Sequence, residues 1–385
     1  MAEAATDAHR GWDELATDPV VAATHRLAAE LTATAGDTER DGVCRADLDR
    51  LAELGLHALG VDPERGGLPT SPAVRRRVAE LLAGADPQVW FVWFQHGPVA
   101  AMLETSENAE LAGRRLPELC SGRSYAGVAF SHLRSPAPSV HAERIAGGYR
   151  LRGRQPWCTG WGLIDVVLVG AVTEDDEALF ALLPAVEGAG LESTGELGLA
   201  AMGATRTVGL RVEDLVVRDA DVVLRVPYAE WKAGDDARNA NVQPSTFGIA
   251  LAALELLADR APEVAARLRS GLLATRRRAY HLIDEAPPAD SVDERLALRA
   301  DALLQGMQAA TALVTSRGGA AFGLGDCAQR LLRAAAHQLV HAQSQPVRSA
   351  TLHRLEHLSR LEHLSRVEHP GRLDDPDHLG PVLVG

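Results

Sequence analysis

The apolar positions along this chain change period twice, and the changes divide it into three parts. Over residues 1–122 the spacing is helical. Leu48, Leu51, Ala52 and Leu54 form one stripe, which Gly55 can end. Residues 55–68 carry Pro63 and a glycine pair and read as a loop. Ser71-Pro72 starts the next helix, with Val74, Val78, Leu81 and Leu82 as its stripe. Asp86-Pro87 starts another, carrying Trp90, Phe91, Trp93 and Phe94 as a core cluster. Over residues 123–232 the period falls to two, with strands near 125–130, 149–152, 166–171, 178–183 and 207–217. Helices then return. Ser245 can cap the first and Pro262 begins the second. Ser291 with Glu294 reads as a capping box for a third, and Asp326 starts a fourth that reaches about His341. The expected fold class is α+β: an N-terminal helical domain (1–122), a middle antiparallel β-barrel domain (123–232), a C-terminal four-helix bundle (233–350) and a tail (351–385). The tail repeats LEHLSR in tandem. A period of six fits no coiled coil and reads as an exposed helix or a disordered extension.

One stretch concentrates candidate chemistry, Gly147 to Ala171. Gly147-Gly148 reads as a hairpin turn, and Tyr149 and Leu151 alternate with Arg150 and Arg152. Val166 to Val169 is unbroken and apolar, a strand covered on both faces. At the joint between these strands stands Trp157-Cys158-Thr159-Gly160-Trp161. Indoles, a hydroxyl and a glycine there suit a flat aromatic ligand: a wall, a hydrogen bond and close backbone approach. The competing reading is that both tryptophans are barrel core.

Composition narrows the function classes. The net charge is -13 and no basic stripe is present, which argues against nucleic acid as partner. The triplets Arg75-Arg76-Arg77 and Arg276-Arg277-Arg278 read as solvated helix faces. Four cysteines far apart carry no metal spacing and fit a reducing, cytoplasmic compartment. His353 and His357 stand one helical turn apart without a supporting carboxylate or thiol, so no metal site is expected. The N-terminus is acidic and lacks the apolar segment of a signal peptide. No run approaches the ~18 apolar residues of a membrane span.

Gly153, Trp157-Cys158-Thr159, a small-residue turn, Asp165 and an apolar strand together resemble the middle domain of the acyl-CoA dehydrogenase superfamily. Met202-Gly203-Ala204-Thr205-Arg206 leading into Leu210–Val217 resembles the end of that domain, and the likeness runs over roughly residues 38 to 345. The resemblance implies FAD as cofactor, with Trp157 against the flavin and the Thr159 hydroxyl at its N5 edge. It implies further cofactor contacts at Phe130 and Ser131. Arg277, in Arg277-x-x-Tyr280, resembles the arginine that meets the flavin pyrophosphate of a neighbouring subunit. Gly318-Gly319-x-x-Phe322 resembles a turn that approaches the partner's cofactor, so a homodimer or homotetramer is implied.

Two departures concern chemistry. The glutamate that removes the α-proton in these dehydrogenases falls at Ala342, and its alternative location falls near Arg238. Glu255, Asp235 and Asp236 are the carboxylates left as relocated bases. The loop holding flavin and thioester is replaced by residues 130–136, FSHLRSP. Arg333 followed eight residues later by His341 is a spacing that the flavin-dependent monooxygenases of this fold share, with the histidine facing the reduced flavin. The leading expectation is an FAD-dependent oxidoreductase acting on the CH–CH group of an acyl thioester, free or carrier-bound. The alternative is a two-component monooxygenase, and the third is a non-catalytic flavoprotein. An electron-transfer protein or a flavin reductase would be the redox partner.

Overall fold

The computed structural model describes the backbone of residues 15–368 and the side chains of residues 15–357. The readings of the first fourteen residues and of the tail beyond 368 lie outside the described residues. Helix starts in the N-terminal region follow their caps. Asp18 accepts from the backbone of Val20 and Val21 and opens α1 (Pro19–Asp41), which periodicity did not single out. After α2 (Arg45–Glu53), Ser71 caps α3 (Pro72–Ala85) and Asp86 caps α4 (Pro87–Phe94), each with proline in the first turn. Helices α5 (His96–Glu104) and α6 (Ala109–Cys120) complete the region.

Eight strands follow: β1 (Ala126–Ala129), β2 (Val140–Ile145), β3 (Gly148–Cys158), β4 (Val166–Thr173), β5 (Glu177–Pro184), β6 (Leu191–Glu196), β7 (Val208–Arg218) and β8 (Val222–Pro227). Their order is β6-β7-β3-β2-β4-β5-β8, with β1 also on β4. The middle domain is the expected antiparallel β-structure in most of its pairings, with β1 and β2 running parallel to β4 as the exceptions. Strands β2, β6 and β8 were not among the five expected. Charges interrupt β2, and β6 (LESTGE) is polar because it is an edge strand. Gly147 turns the β2–β3 hairpin at φ 75°, and a Cβ on Gly148 would lie 2.0 Å from the Val217 carbonyl oxygen. Strand β4 is buried throughout. Val166, Leu168 and Val172 face a core shared with α5 and α6, while Val167, Val169 and Ala171 face a second core within the sheet.

The C-terminal part is α7 (Tyr228–Asn239), α8 (Pro244–Ala258), α9 (Pro262–Glu285), α10 (Val292–Arg317), α11 (Cys327–Gln338) and α12 (Gln345–Glu368). Two expected caps are not formed. Pro244 opens α8, and Ser245 instead donates to Gln338 Oε1 at 2.7 Å. Ser291 adopts a left-handed φ of 55° without a capping bond, and Glu294 pairs with Arg278. Helix α12 starts within the expected bundle and continues through the LEHLSR repeat, so the boundary at 350/351 falls inside a helix. Val347 and Thr351 are buried, and Arg354 meets Asp301 of α10 at 2.6 Å. The basic triplets are not simply solvated. Arg76 pairs with Asp284, and Arg276 grips buried Glu80, which also accepts from Tyr280 at 2.7 Å. Helix α3 and the bundle therefore share one core, closed where Gly248 meets the Glu80 backbone.

Three histidines are buried, His57, His96 and His132, and His337 and His341 are half-buried among packed rings. Burial lowers His57, His132 and His337 to about 4, and His96 and His341 well below their ordinary 6.5. His132 is neutral by geometry as well, since its Nε2 donates to the Gly170 carbonyl while its Nδ1 accepts from Ser139 N. A depressed pKa means that the unfolded chain takes up protons which the folded chain refuses. The stability so carried is complete above 6.5 and is lost as pH falls toward about 4. The free energy of unfolding is expected to fall by about 1.4 kcal/mol per pH unit for each such histidine below 6.5. Urea denaturation between pH 7 and pH 5 should give a shallower slope for His337→Phe by that amount, and an unchanged slope would refute the assignment.

Candidate functional site

The joint between β3 and β4 is built on a register shift. The pairing of β3 with β7 slips between Gln155 and Cys158, and Trp157 stands 49% exposed at the slip. Cys158 turns inward, and burial pushes its thiol up to about 12, so it stays protonated. Thr159 is buried beside it. Its hydroxyl lies 3.0 Å from that of Thr207, which lies 2.8 Å from that of Thr205, which in turn donates to the Met202 carbonyl at 2.7 Å. A cavity of about 380 Å³ opens along the slip, lined by Ser139, Arg154, Gln155, Pro156, Gly209 and Arg211 among others. Gly160 has a φ of 82°, and a Cβ there would lie 3.2 Å from Val92 of α4.

The opposite side of α4 meets the end of α11. The His341 ring stands edge-on to Trp90, Phe91 and Phe94 at 5.3–5.6 Å and stacks on His337 at 5.3 Å. Its Nδ1 is buried without a hydrogen-bond partner. Burial, with the charges of Arg299 and Arg134 nearby, keeps the ring neutral. Helix α4 thus has Val92 at the β3–β4 joint and its aromatic residues at His341.

A charged network ties this region together. Arg134 grips Asp235 through two bonds of 2.7 and 3.0 Å, and Asn239 donates to the same carboxylate at 2.9 Å. Arg299 is buried and donates to the carbonyls of Asn239, Asn241, His341 and Ala342. Burial lowers its pKa to about 10, which leaves it cationic. Ala342 has a left-handed φ of 47°. Of the expected relocated bases, Asp235 is held by Arg134, Asp236 is paired with Lys232 at 2.6 Å, and Glu255 is exposed on α8. The structure brings none of them against Thr159 or His341.

By sequence the chain matches no family model and no curated protein. By structure it is similar to butyryl-CoA dehydrogenase from Megasphaera elsdenii, with a TM-score of 0.73 and 16% identity over 87% of this chain and 97% of that one. It is similar to dibenzothiophene monooxygenase (TdsC) from Paenibacillus sp. A11-2, with a TM-score of 0.72 and 20% identity over 88% and 97%. The third is a glutaryl-CoA dehydrogenase from Mycobacterium smegmatis in complex with FADH2, with a TM-score of 0.73 and 14% identity over 87% and 93%. The chain has the acyl-CoA dehydrogenase fold.

Within this fold the remaining expected residues separate into two groups. Phe130 is buried against Phe180 and Trp231, so its ring is core, while the neighbouring Ser131 hydroxyl is buried without a partner. Arg277, Gly318 and Gly319 lie on the exposed surface. Among the described residues, no group of three or more His, Cys, Asp or Glu side chains is arranged to hold a metal ion. The Thr205-x-Thr207 pair and Arg299 were missed by sequence reasoning. The alternation of Thr205 and Thr207 ahead of β7 was the available signal for the first. Arg299 offered none, being one of many arginines on an amphipathic helix. A flat ring system fits what is present: a half-exposed indole, a buried hydroxyl chain beside it and an unpartnered serine hydroxyl.

Removing Arg299 strands carbonyls from two segments at once, the α7–α8 joint and the turn after α11. Arg299→Ala is expected to cost at least about 3 kcal/mol in chemical denaturation. Arg299→Lys should recover only part, because an ammonium has no planar fork to reach all of them.

Proposed function

We propose that the protein is a flavin-dependent oxidoreductase with FAD lying against Trp157 and Thr159, and that it catalyses an oxygen-dependent reaction rather than α,β-dehydrogenation of a thioester. The observation that carries this reading is the state of the carboxylates. The expected glutamate position is Ala342, Asp235 and Asp236 are held in ion pairs, and Glu255 is exposed. An ion-paired or solvated carboxylate is a poor base for an α-proton. A bound flavin supplies electron-pair transfer and, when reduced, reaction with dioxygen.

The chain's residues divide the remaining work. Trp157 offers the ring a wall, and the Thr159 hydroxyl offers it a polar contact. Trp90, Phe91 and Phe94 exclude water around His341, whose unpartnered Nδ1 can hold or pass one proton. Arg299 fixes the His341 backbone through its carbonyl at 2.8 Å. The aromatic walls suit an apolar small molecule or acyl group. A separate flavin reductase would be the partner, and four free cysteines suit a reducing cytoplasm. Among the described residues, no helix is long and apolar enough to cross a membrane.

In the test, the purified protein is loaded with FAD, reduced anaerobically and mixed with air-saturated buffer. His341→Ala should raise the rate of hydrogen peroxide release at least about tenfold over the parent, while Glu255→Gln should leave that rate unchanged. Anaerobic bleaching of the oxidised flavin by butyryl-CoA or a longer acyl-CoA would sink the reading in favour of dehydrogenation.

The surface residues support a homodimer or homotetramer. Arg277, Gly318 and Gly319 are exposed, and beside the glycine turn Phe322 and Leu324 are 81% and 78% exposed. Light scattering on the eluted protein should give two or four chains, and Phe322→Asp should shift the mass toward one. A monomer that retains full flavin would contradict the assembly.

A further inference from the structure

Arg154 of β3 and Arg211 of β7 are direct partners across the ladder, so both side chains leave the same face of the sheet, and both line the cavity of about 380 Å³. Like charges opposite each other in a sheet repel, and the neighbouring arginines are placed to avoid this. Arg150 and Arg152 reach Glu143 and Asp214, Arg144 meets Asp219, and Arg225 meets Glu177. Arg154 is the exception: among the described residues no carboxylate pairs with it. Arg211 meets Glu192 at 3.3 Å and Glu213 at 3.7 Å, but all three side chains are at least 46% exposed, and water weakens such pairs. Neither glutamate lines the cavity and no other carboxylate does, so its charged wall is entirely cationic in a chain of net charge -13. Pro156, Leu197 and Leu210 give it an apolar wall. The frame is held in place by its own hydrogen bonds. Ser139 Oγ donates to the Arg154 carbonyl at 2.6 Å, and Gly209 N donates to Thr194 Oγ1 at 3.1 Å.

We infer that this groove binds a small organic anion, a carboxylate or phosphate ester on an apolar body, with its oxygens between the guanidiniums of Arg154 and Arg211. Each guanidinium offers a fork of N–H donors, and one anion between two forks replaces their mutual repulsion by attraction to itself. The apolar body lies against Pro156, Leu197 and Leu210, a contact that an inorganic ion cannot make. The volume is at the small end of the range for ligand sites, which suits a single short chain or ring. Trp157 and Thr159 do not line the groove, so it and the proposed flavin contacts are separate surfaces.

The purified protein is titrated calorimetrically in low-salt buffer with hexanoate, phenyl phosphate and inorganic phosphate. At least one organic anion should bind about tenfold or more tightly than inorganic phosphate, and the tighter of the two names the anionic group. Arg154→Gln should weaken that binding about tenfold or more, the worth of a charge-assisted hydrogen bond. Glu192→Gln should tighten it, because Arg211 loses a competing carboxylate, and a packing defect would not have that sign. No binding of either organic anion, or affinity untouched by Arg154→Gln, would overturn the inference. Inorganic phosphate bound as tightly as both would also overturn it, since the apolar wall would then take no part. Displacement of the bound anion by FAD would overturn it differently: the groove would belong to the flavin's own site, and the flavin reading would stand.

Discussion

The buried guanidinium of Arg299 is the contact on which the rest of the site depends. Its hydrogen-bond partners are carbonyls at the α7–α8 joint and in the turn after α11. A cation buried without a directly bonded carboxylate is costly, and it persists because those carbonyls would otherwise be orphaned together. The nearest opposite charge is Asp235, one step away through Asn239, which Arg134 of the β-domain holds in turn. One network therefore links the β-domain, α7, α10 and the end of α11. It also explains why Asp235 is unavailable for chemistry: its charge balances two arginines.

Helix α4 turns that anchoring into a site. Asp86 caps it, and burial raises the Asp86 carboxyl to about 6 even though two backbone N–H groups donate to it. Eight residues long, the helix reaches the β3–β4 joint through Val92, where only glycine at 160 avoids a tight contact. Its aromatic rings meet His341. A shift of α4 would disturb both the wall around the imidazole and the contact of Val92 with Gly160.

Much of the fold was legible because it is local. Proline with an acidic or hydroxyl cap marked the starts of α3 and α4, and the change from period 3.6 to period two marked the β-domain. What escaped was decided by distant partners. Ser245 looked like a cap but bonds Gln338, ninety-three positions away, and Glu294 looked like half of a capping box but pairs with Arg278 of α9. Strand β6 carries no apolar alternation because it pairs on one side only. Within the candidate site, Trp157 and Thr159 were visible as a motif. The buried hydroxyls behind Thr159 were not, since they come from Thr205 and Thr207 just ahead of β7. Arg277 and the Gly318-Gly319 turn are exposed, and the proposed homo-oligomer would give them their partner.

The position of the missing glutamate makes a stronger point than its identity. Helix α11 ends at Gln338, so residue 342 lies in the turn beyond it, with a left-handed φ of 47° and its carbonyl facing Arg299 at 3.4 Å. A glutamate introduced at 342 would inherit that backbone, which residues with a Cβ adopt reluctantly, and its carboxylate would be drawn toward the nearby guanidinium rather than toward substrate. At this point the chain carries alanine in a left-handed turn where the resemblance implies a glutamate. His341 is held where it is by the same turn, through its backbone bond to His337 and its carbonyl bond to Arg299. The same turn thus presents a neutral imidazole to an aromatic cage and offers no carboxylate beside it.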